Sequence, residues 1–293
     1  MTQHQSEGQR TKGEKPNANR QSPITKSTRL LFAFLNRDLA HETSYRLAFL
    51  GTFANVFVRV LLFYFLSKFI STAATPYLGA YQGNYFAFVL IGITLGSYFS
   101  TGLSGFAHAL REAQTTGTLE ALLMTPAPLS IIIIGSALWS YAFTTIRVLA
   151  YLILGALLGM SFNQANFGAA LVILTLAIIA FASIGILAAA IIMVIKRGDP
   201  VTGLLANAAN LVGGVFYPVE VLPDWLQWLA KVLPLPYALH ALRLALLNGA
   251  EWQTLWPDIA ALLFFCLIGL PVSLLAFRSA IHYAKRDGSL THY

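Results

Sequence analysis

Two arginines stand inside long apolar segments, where charged side chains are rare. Arg59 lies within segment 45–70 and Arg147 within segment 129–158. A charged side chain at the centre of a membrane segment costs about 3 kcal/mol on insertion scales, so each arginine needs a polar partner. One interpretation is contact with an anionic group of a substrate or lipid. The alternative is that each side chain snorkels or binds backbone carbonyls inside the helix bundle.

The other reactive side chains form no catalytic or metal-binding pattern. The sequence contains no G-x-x-x-x-G-K-[ST] motif, which would cradle the phosphates of ATP. Its 6 histidines are scattered, and no two have the spacing of a metal-ligand pair. No Asp or Glu lies within the first five apolar segments, where a proton-coupled carrier would usually place one. We therefore expect no catalytic residue, no metal and no cofactor in this chain.

Small or amide-bearing residues recur on one face of two apolar segments. They are Gly92, Gly96, Ser100 and Ser104 in segment 85–109, and Gly203, Asn207, Asn210 and Gly214 in segment 200–217. Small side chains let helices approach closely in a membrane. The stripes predict either a subunit interface with a translocation path beside it or close packing within the chain.

A charged insert, HALREAQTTGTLEALLMTP at residues 108–126, separates the second and third apolar segments. Gly117 permits a turn that a residue with a β-carbon resists, and Pro126 has no N–H with which to continue a helix. Three leucines between them have helical spacing. The insert therefore predicts a short amphipathic helix over 111–123, held beneath the membrane by two spans.

The insert resembles the first cytoplasmic loop of ABC-2-type transporter permeases. The resemblance rests on Arg111-Glu112, Gly117-Thr118-Leu119-Glu120 and Thr125-Pro126. Residues 213–243 and the tail at 284–290 are also similar to the family. The resemblance implies that the loop holds a coupling helix docking into a separate ATPase, with Arg111, Glu112, Gly117, Thr118, Leu119 and Glu120 as the coupling residues. It also implies that the second and fifth spans lie near the translocation path, which favours Gly92, Gly96, Ser100, Asn207, Asn210 and Gly214 as path or dimer-interface residues.

The composition is that of a polytopic membrane protein. Of 293 residues, 57% are hydrophobic and 11% charged, whereas soluble domains carry about 25% charged residues. Six apolar segments approach the length of about 20 residues that a spanning helix needs. They are 45–70, 85–109, 129–158, 167–195, 200–217 and 256–280. The expected fold is all-α, with six transmembrane helices in a domain covering 28–293.

Charge asymmetry orients these spans. Of the 19 Lys and Arg, 8 fall within the first 46 residues, and connections 71–84 and 160–166 carry no charge. The positive-inside rule therefore places both termini in the cytoplasm, so nucleic acid is not the expected partner. Residues 1–27 are polar and predict a disordered tail. Residues 29–42 have one apolar face, typical of an amphipathic helix in the membrane interface.

Segment 218–255 is apolar but broken by prolines. Pro218, Pro223, Pro234 and Pro236 divide it into pieces too short to span. Backbone broken at membrane depth persists only where protein or a water-filled cavity satisfies it. We expect a re-entrant hairpin of two short helices near the outer mouth, between the fifth and sixth spans.

These patterns and the resemblance together predict the permease subunit of an ATP-driven ABC exporter in the bacterial cytoplasmic (inner) membrane. Its partners would be a second permease copy, membrane lipid and a separate ATPase that binds ATP and Mg. The substrate would be amphipathic: a lipid-linked glycan, a glycolipid or a drug-like molecule, with Phe99, Phe216 and Tyr217 as candidate stacking residues. The alternatives are a self-sufficient carrier or channel and an integral-membrane transferase.

Overall fold

The computed structural model describes residues 46–115, 129–195 and 199–286, and throughout these ranges the regular structure is helical. Eight α-helices are numbered here in chain order. They are α1 (Arg46–Ala74), α2 (Tyr85–Thr115), α3 (Leu129–Leu157), α4 (Phe167–Ile195), α5 (Asp199–Val212), α6 (Asp224–Lys231), α7 (Pro234–Leu247) and α8 (Trp252–Arg286). The predicted tail at 1–27 and the predicted interfacial helix at 29–42 lie outside the described residues.

Five of these helices are long and apolar enough to cross a membrane. The qualifying windows are Phe49–Ile70, Tyr85–Phe106, Leu138–Leu157, Phe167–Met193 and Trp252–Tyr283. Each window has 20 or more residues and is apolar overall, and about 20 residues are needed to cross the hydrocarbon core. The all-α polytopic membrane fold expected from the sequence is therefore confirmed.

The fifth apolar segment forms a shorter helix than its composition suggests. Helix α5 has 14 residues and ends at Val212, although the apolar run continues to residue 217. Gly214 has a φ of +83°, in the left-handed region that suits glycine and ends the helix. Fourteen residues extend only about 21 Å, less than the hydrocarbon thickness of about 30 Å. Alone, α5 is too short to count as one of the six predicted spans.

The proline-broken segment forms two short helices. Helix α6 has 8 residues and α7 has 14, and their axes meet at 87°. Leu233 is extended between them, and Pro234 occupies the first turn of α7, where its missing N–H costs nothing. The two helices predicted for this segment are present. If the bent pair is counted as one span, the described chain has up to six spans in place of five.

Helix α2 is the centre of the bundle and α1 is peripheral. Within their apolar windows, 89% of α2 is buried inside the protein but only 11% of α1. Helix α2 contacts α1, α3, α4, α5 and α7, whereas α1 packs mainly on α2 and α3. Helix α2 also continues as far as Thr115, six residues beyond the predicted end of the second span.

Three connections meet at one end of the bundle. The side-chain amide of Asn248 donates to the carbonyl of Ala80 at 2.9 Å. The backbone N–H of Asn166 donates to the carbonyl of Ala245 at 2.8 Å. The uncharged connections 75–84 and 158–166 therefore lie beside the end of α7, on the same side as each other, as the charge pattern predicts.

Candidate functional site

A cleft opens between α1, α2 and α3. Its volume is about 380 Å³. The lining residues are Gly51, Thr52, Asn55, Val56, Arg59, Ser97, Arg147 and Tyr151. The two arginines that the sequence marked separately therefore share one cleft. Each lies near the midpoint of its apolar window, Phe49–Ile70 for Arg59 and Leu138–Leu157 for Arg147.

Arg147 is held in place by its own helix. Its Nη2 donates to the Oγ1 of Thr144 at 2.9 Å, and its guanidinium carbon lies 5.6 Å from the centre of the Phe143 ring. Its Nε is buried and has no hydrogen-bond partner among the described residues. The side chain is thus oriented by neutral groups, and part of its donor capacity is unused.

Arg59 is exposed at the other side of the cleft, close to the hydroxyl of Tyr151. The contacts of the two arginines that the structure describes are to side chains, the Thr144 hydroxyl for Arg147 and the Tyr151 hydroxyl for Arg59. Both face a shared polar space near the middle of their spans. The cleft can hold a negatively charged group between them.

Pairs of hydroxyl groups join α3 to α2 next to the cleft. The Tyr98 hydroxyl donates to the Oγ1 of Thr145 at 2.9 Å, and the Oγ1 atoms of Thr101 and Thr144 are 2.8 Å apart. Thr144 is fully buried. Because Thr144 also accepts the bond from Arg147, the same pairs that join the helices position the arginine.

The small-residue stripe of α2 packs inside the chain. A β-carbon at Gly92 would meet the carbonyl oxygen of Val215, and one at Gly96 would lie 2.9 Å from the Oδ1 of Asn210. The side-chain amide of Asn210 donates to the Oγ of Ser100 at 3.0 Å. Of the two interpretations of the stripe, close packing within the chain therefore describes Gly92, Gly96, Ser100 and Asn210.

The stripe of α5 divides between two environments. Asn210 and Gly214 face the protein interior, but Asn207 is exposed, and nothing lies within 4 Å of a β-carbon placed on Gly203. Along this face of α5, Asn210 therefore contacts α2, whereas Gly203 and Asn207 lie outside that contact. Asn207 and Gly203 remain the exposed candidates for a subunit interface.

A third arginine, Arg243 of α7, lies in the protein interior. It is 3% exposed. Its Nε donates to the Phe88 carbonyl at 3.2 Å, and its Nη2 donates to the carbonyls of Gly214 and Val215, each at 3.0 Å. Its guanidinium carbon lies 3.4 Å from the centre of the Phe88 ring. Arg243 therefore joins α7, the start of α2 and the end of α5.

Tyr81, in the connection before α2, closes this centre on one side. Its ring centre is 5.9 Å from the guanidinium carbon of Arg243. Burial raises the pKa of Tyr81 to about 12, an effect that nearby Arg243 partly opposes. The phenol is thus neutral at physiological pH, and Tyr81 offers Arg243 a ring face in place of a counter-charge.

Comparison with known proteins identifies the family to which this architecture belongs. The model of the ABC-2 type transporter family matches residues 30–247. This range includes Arg59, Arg147, Arg243 and the broken segment. The chain belongs to the ABC-2 type transporter family.

One relative is a permease. The linearmycin resistance permease protein LnrN of Bacillus subtilis (strain 168) is 25% identical over 177 residues, which are 60% of this chain and 46% of the relative. The aligned part therefore spans less than half of that protein. The family match and the five helices long and apolar enough to span identify the chain as a multi-pass membrane protein of a transporter family.

The predicted coupling residues of this ABC-2 permease lie at the end of α2 and beyond it. The backbone of Arg111 and Glu112 belongs to the last turns of α2, which reaches Thr115. Gly117, Thr118, Leu119 and Glu120 lie outside the described residues. The beginning of the charged insert is thus continuous with the second span, and it is not a separate short helix.

The candidate stacking residues of the permease have different surroundings. Phe99 is 2% exposed and packs edge to face on Phe181, with ring centres 5.1 Å apart. Phe216 stacks on Phe63 at 5.8 Å and accepts a hydrogen bond from Tyr85 on its carbonyl. Phe99 is therefore a core residue, whereas Phe216 and Tyr217 are only partly buried.

Among the residues that the structure describes, no three His, Cys, Asp or Glu side chains are grouped as metal ligands. The buried arginine that sequence reasoning missed is Arg243. Its signal was present in LHALRLALL, a single cation within an apolar helix that follows a break. The same logic that marked Arg59 and Arg147 marks Arg243 too, once segment 234–247 is treated as membrane-embedded.

Proposed function

We propose that this permease is the membrane subunit of an ATP-driven exporter in the bacterial cytoplasmic membrane, with both termini in the cytoplasm. Two permease subunits, identical or similar, work with two copies of a separate ATPase. The observation that carries the proposal is the family match over residues 30–247. This range contains the second and third spans and the charged insert between them.

The energy source is assigned to the partner because the sequence has no phosphate-cradling P-loop. ATP and Mg would bind on the ATPase, and closure of the ATPase dimer would push the insert after α2. Helix α2 suits transmission of this push, because 89% of its apolar window is buried against other helices. A rigid displacement of α2 would reach α3, α4, α5 and α7 together.

The proposed substrate is an amphipathic molecule, such as a lipid-linked glycan, a glycolipid or a drug-like compound. Support for outward transport comes from the relative's name, a linearmycin resistance permease. A permease can give resistance by moving a compound away from the cell. The peripheral position of α1 supports an amphipathic substrate, since a molecule in the bilayer can reach the cleft beside it.

The decisive experiment is reconstitution of the permease with its ATPase in proteoliposomes, measuring ATP hydrolysis and transport together. Glu120→Arg and Leu119→Ala should weaken pull-down of the ATPase or uncouple hydrolysis from export. Losing one interface anchor commonly costs about 2 kcal/mol, roughly a thirtyfold loss of affinity.

Glu251→Arg is the matched control. It makes the same charge reversal at an exposed site beside the connections at the opposite end of the bundle. It should leave ATPase binding unchanged. Normal assembly and transport in both insert variants would reject the coupling role, and ATP-independent transport by the permease alone would favour a self-sufficient carrier.

A further inference from the structure

We propose that the cleft between α1, α2 and α3 is a binding site for the phosphate group of an amphipathic molecule, with Arg59 and Arg147 as its two cationic contacts. The proposal rests on the proposed function in one respect, since it names the substrate class of the transporter. The geometry that carries it is the convergence of two mid-span arginines on one polar space.

No carboxylate among the described residues compensates the charge of the cleft. Helices α1 and α3 carry no Asp or Glu over residues 46–74 and 129–157, and α2 carries none before Glu112. Among the described residues, none that lines the cleft is acidic. Two guanidinium groups near the middle of a bilayer are costly without a counter-charge. An anion bound between them would supply it.

The cleft presents donors of the kind that bind phosphate oxygens. A guanidinium group presents several N–H donors in a planar fork that fits phosphate oxygens. Arg147 already directs one donor to Thr144, while its buried Nε has no partner in the described part of the chain. The Asn55 amide and the Tyr151 hydroxyl also line the cleft and add neutral donors. Ser97 donates elsewhere, to the carbonyl of Ile93 at 2.7 Å.

The surroundings of the cleft select an amphiphile over a free ion. Val58 and Leu62, next to Arg59 and one turn after it on α1, are 60% and 54% exposed. A free phosphate ion would have to cross hydrocarbon to reach a site at this depth. A molecule with an acyl or isoprenoid chain can place that chain along these apolar side chains while its phosphate enters the cleft.

The test is equilibrium binding of radiolabelled farnesyl phosphate to the full-length permease in a maltoside detergent, which contains no phosphate. Unlabelled farnesyl phosphate, farnesol, inorganic phosphate and dioleoylphosphatidylglycerol serve as competitors. We expect farnesyl phosphate to compete at least tenfold better than farnesol or inorganic phosphate. Efficient competition by the phosphatidylglycerol would identify a lipid headgroup as the natural occupant, and its failure would favour a transported phosphate ester. Both results support the proposal.

Arg59→Gln and Arg147→Gln should each weaken farnesyl phosphate binding about tenfold or more, because each removes charge-assisted hydrogen bonds. Arg278→Gln, an exposed arginine of α8 outside the cleft, is the control and should bind normally. Arg59→Lys and Arg147→Lys keep the charge and should retain part of the farnesyl phosphate binding. They test the site even if the glutamine variants fail to fold.

Equal competition by farnesol, equal competition by inorganic phosphate, or unchanged binding in the glutamine variants would each overturn the proposal. The binding assay contains no ATPase, so its outcome is independent of the coupling experiment. A permease that couples to its ATPase but binds farnesol as well as farnesyl phosphate would retain the proposed function and lose this site.

Discussion

Arg243 and the pair Arg59–Arg147 are arginines in membrane segments with opposite surroundings. Arg243 is 3% exposed and donates to three backbone carbonyls at 3.0–3.2 Å. Arg59 and Arg147 face an open cleft, and Arg147 has one neutral hydroxyl acceptor. We infer from this difference that a membrane arginine is structural when the fold supplies its acceptors and available to a ligand when it does not.

The acceptors of Arg243 exist because α5 ends early. Helix α5 stops at Val212, and Gly214 turns the chain into the left-handed region. The carbonyls of Gly214 and Val215 are therefore free of helical partners, and in a membrane such groups must be satisfied by the protein. Arg243 from α7 satisfies both. The early end of α5 thus exposes the carbonyls, and the buried arginine of α7 supplies their donor.

The largest expected effect is that of Arg243→Met. Methionine fills much of the space but leaves buried carbonyl oxygens without a donor, each costing about 1–3 kcal/mol. We expect a total loss of about 3 kcal/mol or more and a lower apparent Tm in detergent, by about 6 °C or more. Arg278→Met, at an exposed site of α8, is the matched control and should change Tm little.

An unchanged Tm for Arg243→Met would mean that water or lipid replaces the arginine as donor. The contrast between the two arginine environments would then be wrong, because the surroundings of Arg243 would admit water or lipid as the cleft does. Size-exclusion chromatography after heating measures this directly and needs no transport activity.

Two helical glycines compare the same environments at smaller scale. Gly92 lies beneath Arg243, where an added β-carbon would meet the Val215 carbonyl oxygen and lie 2.8 Å from the Nη2 of Arg243. Gly51 lines the cleft, and nothing lies within 4 Å of a β-carbon there. Both changes to alanine gain up to about 1 kcal/mol of helix propensity. Overpacking at Gly92 costs about 1–3 kcal/mol.

We therefore expect Gly92→Ala to lower the apparent Tm and Gly51→Ala to leave it unchanged or raise it slightly. The difference between the two variants is the measured quantity, since the propensity gain is common to both. Equal effects would show that the neighbourhood of Arg243 can yield by several tenths of an ångström, and that it is not tightly packed.

Much of the fold could be predicted from apolar run length and prolines. The five long helices follow from runs of about 20 apolar residues, and the two short helices follow from the prolines at 218–236. The early end of α5 was missed because residues 213–217 are as apolar as the helix before them. Gly213 and Gly214 are the signal of this early end, but the spacing of Gly214 also fits the stripe of small and amide-bearing residues in segment 200–217.

The candidate site could be predicted only in part. Sequence identifies Arg59 and Arg147 as unusual, but the whole of α2 and two connections separate their helices in the chain, so their convergence depends on tertiary packing. The stripes posed the same difficulty, because glycine spacing fits an intramolecular contact and a subunit interface equally well. Asn210, which bonds Ser100 at 3.0 Å, shows that this part of the stripe packs within the chain, and a path or interface role for α2 stays a prediction. Exposed Asn207 leaves an interface through α5 as a prediction.

A small effect on stability is expected for Arg147→Met. Unlike Arg243→Met, it should not lower the apparent Tm. The change removes one hydrogen bond to Thr144 and the contact with the Phe143 ring, together worth about 1–2 kcal/mol. It also removes a charge near mid-span whose insertion costs about 3 kcal/mol. The two contributions nearly cancel, so the apparent Tm should stay the same or rise by a few degrees.

Farnesyl phosphate makes this small difference informative. A ligand that binds only the folded state raises its stability in proportion to the logarithm of concentration over Kd. The wild-type permease should therefore gain apparent Tm on addition of farnesyl phosphate, and Arg147→Met should gain little. A marked loss of stability in the ligand-free variant would contradict the assignment, because it would mean that the fold already supplies the acceptors of Arg147, as it does for Arg243.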